Sequence, residues 1–156
     1  AVAGRPPRQA LERVDWVLLL FFAGLFVVIH GVGKSGAADA MFAAISPWIT
    51  GGPWWEMAVF GTATVVLSNL FSNVPFVLLA ANWIPSFSDP GLAWKVLALT
   101  STLAGNLTIV GSVANVIVFE AAGSRGAISF GRFLRFGLPV TALGTLVGTL
   151  ALLLLR

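Results

Sequence analysis

The sequence predicts an all-α integral membrane protein, and three observations carry that prediction. Hydrophobic residues make up 58% of the 156-residue chain and charged residues 10%, with a mean hydropathy of +0.95. That is too little charge to cover the surface of a soluble domain of this size. The net charge is +3, but the Lys and Arg residues sit at the ends of apolar runs. This is the membrane-protein pattern and not the basic patch of a nucleic-acid binder, so no nucleic-acid partner is expected. Several apolar runs also approach the roughly 20 residues that cross a bilayer core as helix. There is no Cys and one His, which excludes a disulfide framework and a Cys-ligated metal centre and leaves too few ligands for a His-based one. No cofactor is expected.

Residues 1–13, with Pro6-Pro7 and Arg5, Arg8 and Arg13, read as a cytoplasmic loop or linker. Residues 14–156 read as one unit. The chain begins Ala-Val-Ala-Gly-Arg without Met and is expected to be a piece of a longer polypeptide. A first span covers 16–33, with Trp16 where an interfacial aromatic belongs. Residues 37–49 carry Asp39 and Pro47, are too short to cross, and predict an interfacial helix. A turn with aromatic anchors follows at 50–55.

The next segment contains "LSNLFSNVPF", residues 67–76. Two Ser-Asn pairs and Pro75 interrupt an apolar run there. Read as two arms, 57–71 and 75–84, it offers neither arm enough length to span. Charge then decides the topology. Arg5, Arg8 and Arg13 precede the first span, and Arg125, Arg132 and Arg135 precede the last one, at 137–155. The positive-inside rule puts both clusters in the cytoplasm. Residues 56–95 must therefore begin and end outside, which predicts a re-entrant hairpin over 57–87 that turns near the midplane at residues 72–75. Irregular backbone at that depth is tolerated only where protein or a water-filled cavity surrounds it. Its free N–H and C=O groups make it a candidate binding site, and Pro75 suits the first turn of the outgoing helix.

The long uncharged segment 96–119 supplies the opposite wall. It carries Asn106, Thr108, Ser112 and Asn115 with Gly105 and Gly111. Its expected unwinding point is Gly111 to Asn115, which makes it a span broken at midplane. Broken helices of this kind are typical of secondary transporters built from inverted repeats. The candidate binding residues are Ser72, Asn73, the backbone of Val74, Gly111, Ser112 and Asn115. Ser68, Asn69, Asn106 and Thr108 are candidates for a supporting shell.

Other features carry plainer readings. His30 sits at the end of the first span as an interfacial His. Glu120 is a solvated helix end or a partner for Arg125. Arg125, Arg132 and Arg135 fall on one face of an interfacial helix over 125–136 that rests on anionic lipid. "GVGKSG" at 31–36 lacks the spacer of a phosphate-binding loop, and no other enzyme motif is present. Gly144 and Gly148 have the spacing for close helix contact. A non-transporting membrane scaffold subunit that pairs through them is the alternative to transport, and a second copy of the chain, as a homodimer, is a candidate partner.

"SNLFSNVPFVLLA", "LTSTLAGNLTIVGSVANVIVFEAA" and "ISFGRFLRFGLPVTALGTLVGTLALLL" together resemble the C-terminal half of the ion transporter superfamily. That group contains the arsenite-efflux permeases of the ArsB type, the citrate and dicarboxylate transporters, and the NhaD-type sodium/proton antiporters. The similarity covers nearly all of residues 14–155. It implies one repeat of an inverted-repeat transporter in a bacterial inner membrane, with three spans, one of them broken, a hairpin and interfacial helices. The partners it implies are the lipid bilayer, the missing N-terminal repeat, and a small anion or arsenite as substrate, with Na+ or H+ as coupling ion. Sodium/proton antiport is the alternative within the group. In the dicarboxylate branch a Ser-Asn-Thr tip touches sodium and carboxylate. Ser72 and Asn73 match it, but Val74 stands in place of Thr and removes a hydroxyl.

Overall fold

The computed structural model describes residues 14, 16–123 and 128–155, and all regular structure among them is helical. Helix α1 is Trp16–Lys34, and it ends in a turn at Gly36 with φ of 78°. Helix α2, Ala37–Ile45, runs on into a 3-10 turn at Ser46–Trp48. The segments Leu19–Lys34 and Ala37–Trp48 meet at a bend of 67°, so the expected short helix after the first span is present. Trp55 Nε1 donates to the Trp48 carbonyl at 2.8 Å and pins the turn that follows.

The hairpin is built from α3, Pro53–Phe71, and α4, Asn73–Ala80, which continues as a 3-10 helix at Ala81–Ser86. It begins earlier than the expected 57, because Pro53 opens the helix at a position where a missing N–H has no cost. The first arm is therefore 19 residues, about 28 Å at 1.5 Å per residue. It is longer than the expected arm, yet it is not among the helices of this chain that are both long and apolar enough to cross a membrane. A direct contact ties the hairpin shut: Glu56 at the start of α3 hydrogen-bonds Ser88 just beyond the second arm. Both ends of the hairpin thus lie together.

Helix α5, Pro90–Ala104, starts at Asp89, whose carboxylate accepts the Leu92 N–H at 2.9 Å. It starts beside the start of α3 and ends beside the end of α3, so the two run side by side in the same direction. The core forms where they meet the hairpin's second arm: Met57, Phe60, Phe76, Trp83, Phe87 and Val96 are buried together. Phe60 and Phe87 rings lie 4.4 Å apart, and Trp83 packs at 5.6 Å from both Phe42 and Phe76. Burying such rings removes about 150–250 Å² each from solvent.

The chain unwinds after Ala104 and resumes as α6, Val113–Ala122. The break spans 105–112, with one 3-10 turn at Ile109–Gly111. It begins earlier than the expected Gly111 to Asn115, and residues 113–115 are the first turn of α6. The last helix, α7, is Phe130–Leu154. It corrects the expected pair of an interfacial helix over 125–136 and a span over 137–155. One helix runs through both, since Pro139 forfeits one helical hydrogen bond without ending it. Arg132 and Arg135 lie in its first turns, while Arg125 and residues 1–13 fall outside the described residues. By length and composition α7 is fit to cross a membrane, and so is the bent α1–α2 pair taken together.

Helix α7 runs antiparallel to α5. A Cβ on Gly148 would meet Leu99 at 2.6 Å, and one on Gly144 would meet Leu103 at 3.4 Å. The small face of Gly144 and Gly148 is therefore occupied by α5 of the same chain.

Candidate functional site

Two interruptions of helix lie at the far end of the α3–α5 pair. The first is Ser72. Its backbone takes φ 70° and ψ 154°, a region that costs a non-glycine residue about 1–3 kcal/mol. This flip ends α3, and the Ser72 carbonyl then accepts the Phe76 N–H at 3.2 Å and starts α4. Asn73 Oδ1 accepts the Val74 N–H at 2.9 Å. Pro75, in the first turn of α4, has no N–H to leave unpaired. The Ser72 hydroxyl is buried and has no hydrogen-bond partner.

The second interruption is the break at 105–112. After Ala104 the chain tightens into 3-10 turns, with Asn106 N–H on the Leu103 carbonyl and Leu107 N–H on the Ala104 carbonyl, both at 3.0 Å. Thr108 and Ser112 are extended. The break leaves these carbonyls with at most a 3-10 bond, and each has a second lone pair to fill. Three side chains supply partners. Asn115 Nδ2 donates to the Gly105 carbonyl at 2.6 Å and to the Thr108 carbonyl at 3.3 Å. Thr141 Oγ1 donates to the Leu103 carbonyl at 3.2 Å. Asn69 reaches across from α3, and its Nδ2 donates to the Ala104 carbonyl at 2.9 Å.

Asn69, one turn before the first interruption, ties α3 to the second. Its Nδ2 also donates to the Val65 carbonyl at 2.9 Å, and its Oδ1 accepts from Thr108 Oγ1 at 2.7 Å. Gly111 makes room for it: a Cβ there would lie 2.4 Å from Asn69 Oδ1. Ser112 packs on Gly105 in the same way, at 3.1 Å from a Cβ built there. Helix α7 backs the break from behind, and a Cβ on Gly137 would lie 2.0 Å from the Asn106 carbonyl oxygen.

The structure thus brings Asn69, Thr108, Gly111, Ser112 and Asn115 together. Ser72, Asn73 and Val74 form the hairpin tip one turn beyond Asn69, and among the described residues no hydrogen bond joins them to the break. Ser68 is fully buried on α3 with its hydroxyl unpartnered. Asn106 is exposed. No charged residue lies within 64–82 or 96–119, so the site offers neutral amides, hydroxyls and backbone groups. Among the described residues no cluster of His, Asp or Glu could hold a metal ion. A groove of about 540 Å³ lies between α3 and α7, with Val66, Leu138, Leu146 and Leu150 in its wall. Its lining is mostly apolar, with Thr62, Thr141, Thr145 and Thr149 among it and Leu107 from the break, and it does not include the tip residues.

Sequence reasoning missed Glu56. It is buried at the base of α3, 7% exposed, and accepts the Ser88 N–H at 3.1 Å together with the Ser88 hydroxyl. The available signal was one carboxylate at the head of an apolar run.

Comparison with known proteins bears on what this arrangement serves. The chain is 39% identical over 142 residues to the putative transporter arsB of Dictyostelium discoideum, covering 88% of this chain and 25% of that one. It is 36% identical over 154 residues to the silicon efflux transporter LSI3 of rice, covering 92% and 32%. It is 37% identical over 144 residues to the 46 kDa membrane protein of Mycobacterium leprae, covering 85% and 33%. The chain spans about a quarter to a third of the length of these relatives. No solved structure matches it. The citrate transporter family matches residues 2–104, and the chain, a membrane protein, belongs to that family.

Proposed function

We propose that this chain forms one repeat of a secondary transporter, in a bacterial inner membrane, that moves a small anion or neutral arsenite by alternating access. The solute would sit between the hairpin tip and the broken helix, against Ser72, Asn73, Ser112 and Asn115 and the backbone of Val74 and Gly111. The observation that carries this reading is the break held against α3 by Asn69, one turn from the interruption at Ser72, with no charged residue within 64–82 or 96–119. Interrupted helices are where transporters of this architecture expose backbone groups to solute.

The neutral lining supports a compact uncharged oxyacid over a multiply charged carboxylate. Burying a multiply charged anion without a cation partner is costly, and Val74 lacks the hydroxyl of the carboxylate-binding tip. Two relatives bear the names putative transporter arsB and silicon efflux transporter LSI3, and both arsenous and silicic acid are neutral polyhydroxy solutes. Sodium/proton antiport has less support, because no carboxylate lies among the residues of the tip or the break. The repeat that would complete the site lies outside this chain.

The test is flux through the full-length protein in liposomes. Arsenite and silicic acid are expected to move faster than citrate and succinate, and Asn73→Ala is expected to abolish the flux with insertion intact. Faster citrate flux would overturn the preference for a neutral oxyacid, and full activity in Asn73→Ala would move the site elsewhere.

A further inference from the structure

The buried carboxylate of Glu56 has no part in the site described above. It lies where two helices begin, in the first turn of α3 and beside Ser88, which immediately precedes the Asp89 cap of α5. Both helix N-termini favour a negative charge. Glu56 accepts the Ser88 N–H on both carboxylate oxygens, at 3.1 and 3.3 Å, and the Ser88 hydroxyl on Oε2. Ser88 itself follows the hairpin's second arm, so this one contact closes the hairpin and fastens its base to the start of α5. At the other end of the same helices, Asn69 fastens α3 to Ala104.

We propose that Glu56 is a positioning residue for transport. Its carboxylate sets the longitudinal register of α3 against α5, and with it the placement of the Ser72 tip over the 105–112 break. Two rods held at both ends keep their relative height. With the base released, Asn69 and the apolar packing between the helices are left to hold the register, and the tip moves relative to Ser112 and Asn115. This inference rests on the transport reading for its flux arm alone.

The experiment uses the full-length protein in liposomes with Val74→Cys as a reporter. Maleimide labelling of that thiol is measured with no solute present, in backgrounds Glu56→Ala, Glu56→Gln and Ser88→Ala. Labelling is expected to speed up about tenfold in Glu56→Ala, the scale of a lost charged hydrogen-bond anchor. Smaller changes are expected in Glu56→Gln, which keeps one acceptor oxygen, and in Ser88→Ala, which keeps the N–H. In the flux assay KM should rise while the maximal rate changes less, since the misplaced tip weakens binding. Combining Glu56→Gln with Ser88→Ala should add nothing to the larger single effect. If Glu56→Ala fails to insert, the two milder variants decide. Unchanged labelling and unchanged KM would overturn the proposal. Altered labelling with no flux of any tested solute would leave the clasp standing and sink the transport reading.

Discussion

The α3–α5 pair is fastened at both ends, with opposite chemistry at each. At the base, Glu56 presents a buried carboxylate to Ser88. At the far end, Asn69 presents a neutral amide to the Ala104 carbonyl and the Thr108 hydroxyl. The charge sits where helices begin and their dipoles favour an anion. The amide sits where helices stop, and an amide both donates and accepts. It can serve a freed carbonyl and a hydroxyl at once without importing a charge that would need a partner. The difference shows how a broken helix can be kept inside an apolar environment: its loose ends are answered by neutral groups, and the buried carboxylate is kept at the opposite end of the bundle.

The largest expected effect comes from attacking the far end from behind. Gly137→Ala drives a methyl group into the Asn106 carbonyl, a backbone atom with nowhere to go, and should cost about 3 kcal/mol. Thermal unfolding in detergent would read this as a marked drop in Tm, and flux should fall with it. Asn69→Leu tests the amide itself. It keeps the shape, removes donors to Val65 and Ala104, and should cost about 2 kcal/mol. If it costs less than Glu56→Ala in the same melt, the base is the stronger fastening and the comparison reverses. The smallest effect has the other sign. Ser72→Gly relieves a backbone that L-residues resist and should raise stability by about 1 kcal/mol while lowering flux through the lost hydroxyl. A melt unchanged or lowered would mean the φ of 70° is not strained.

Much of this arrangement was legible in the residues. The hairpin followed from Ser72-Asn73 and Pro75, because amides and a helix breaker within an apolar run end one helix and begin the next. The broken helix followed from Gly, Ser and Asn in an uncharged segment. Its position was misread by several residues, since local composition does not reveal which carbonyls a distant side chain will serve. Asn69 and Asn115 decide that from 35 and 10 positions away. Boundaries at Pro53 and Pro139 were misjudged for a related reason: proline marks both a helix start and a tolerated interior position, and packing chooses between them. Glu56 was invisible as a fastening because burial of one carboxylate depends on Ser88, 32 residues on.

Thr64, Ser68 and Ser72 follow one another at one-turn intervals along α3, and none of their hydroxyls has a hydrogen-bond partner. Each such group raises the free energy of this conformation by about 1–3 kcal/mol. Any second arrangement that gives those hydroxyls partners is favoured by the same amount. A transporter of the kind proposed for this chain needs two conformations separated by only a few kcal/mol. A file of unanswered hydroxyls is a means of keeping the first of them from becoming too deep a well.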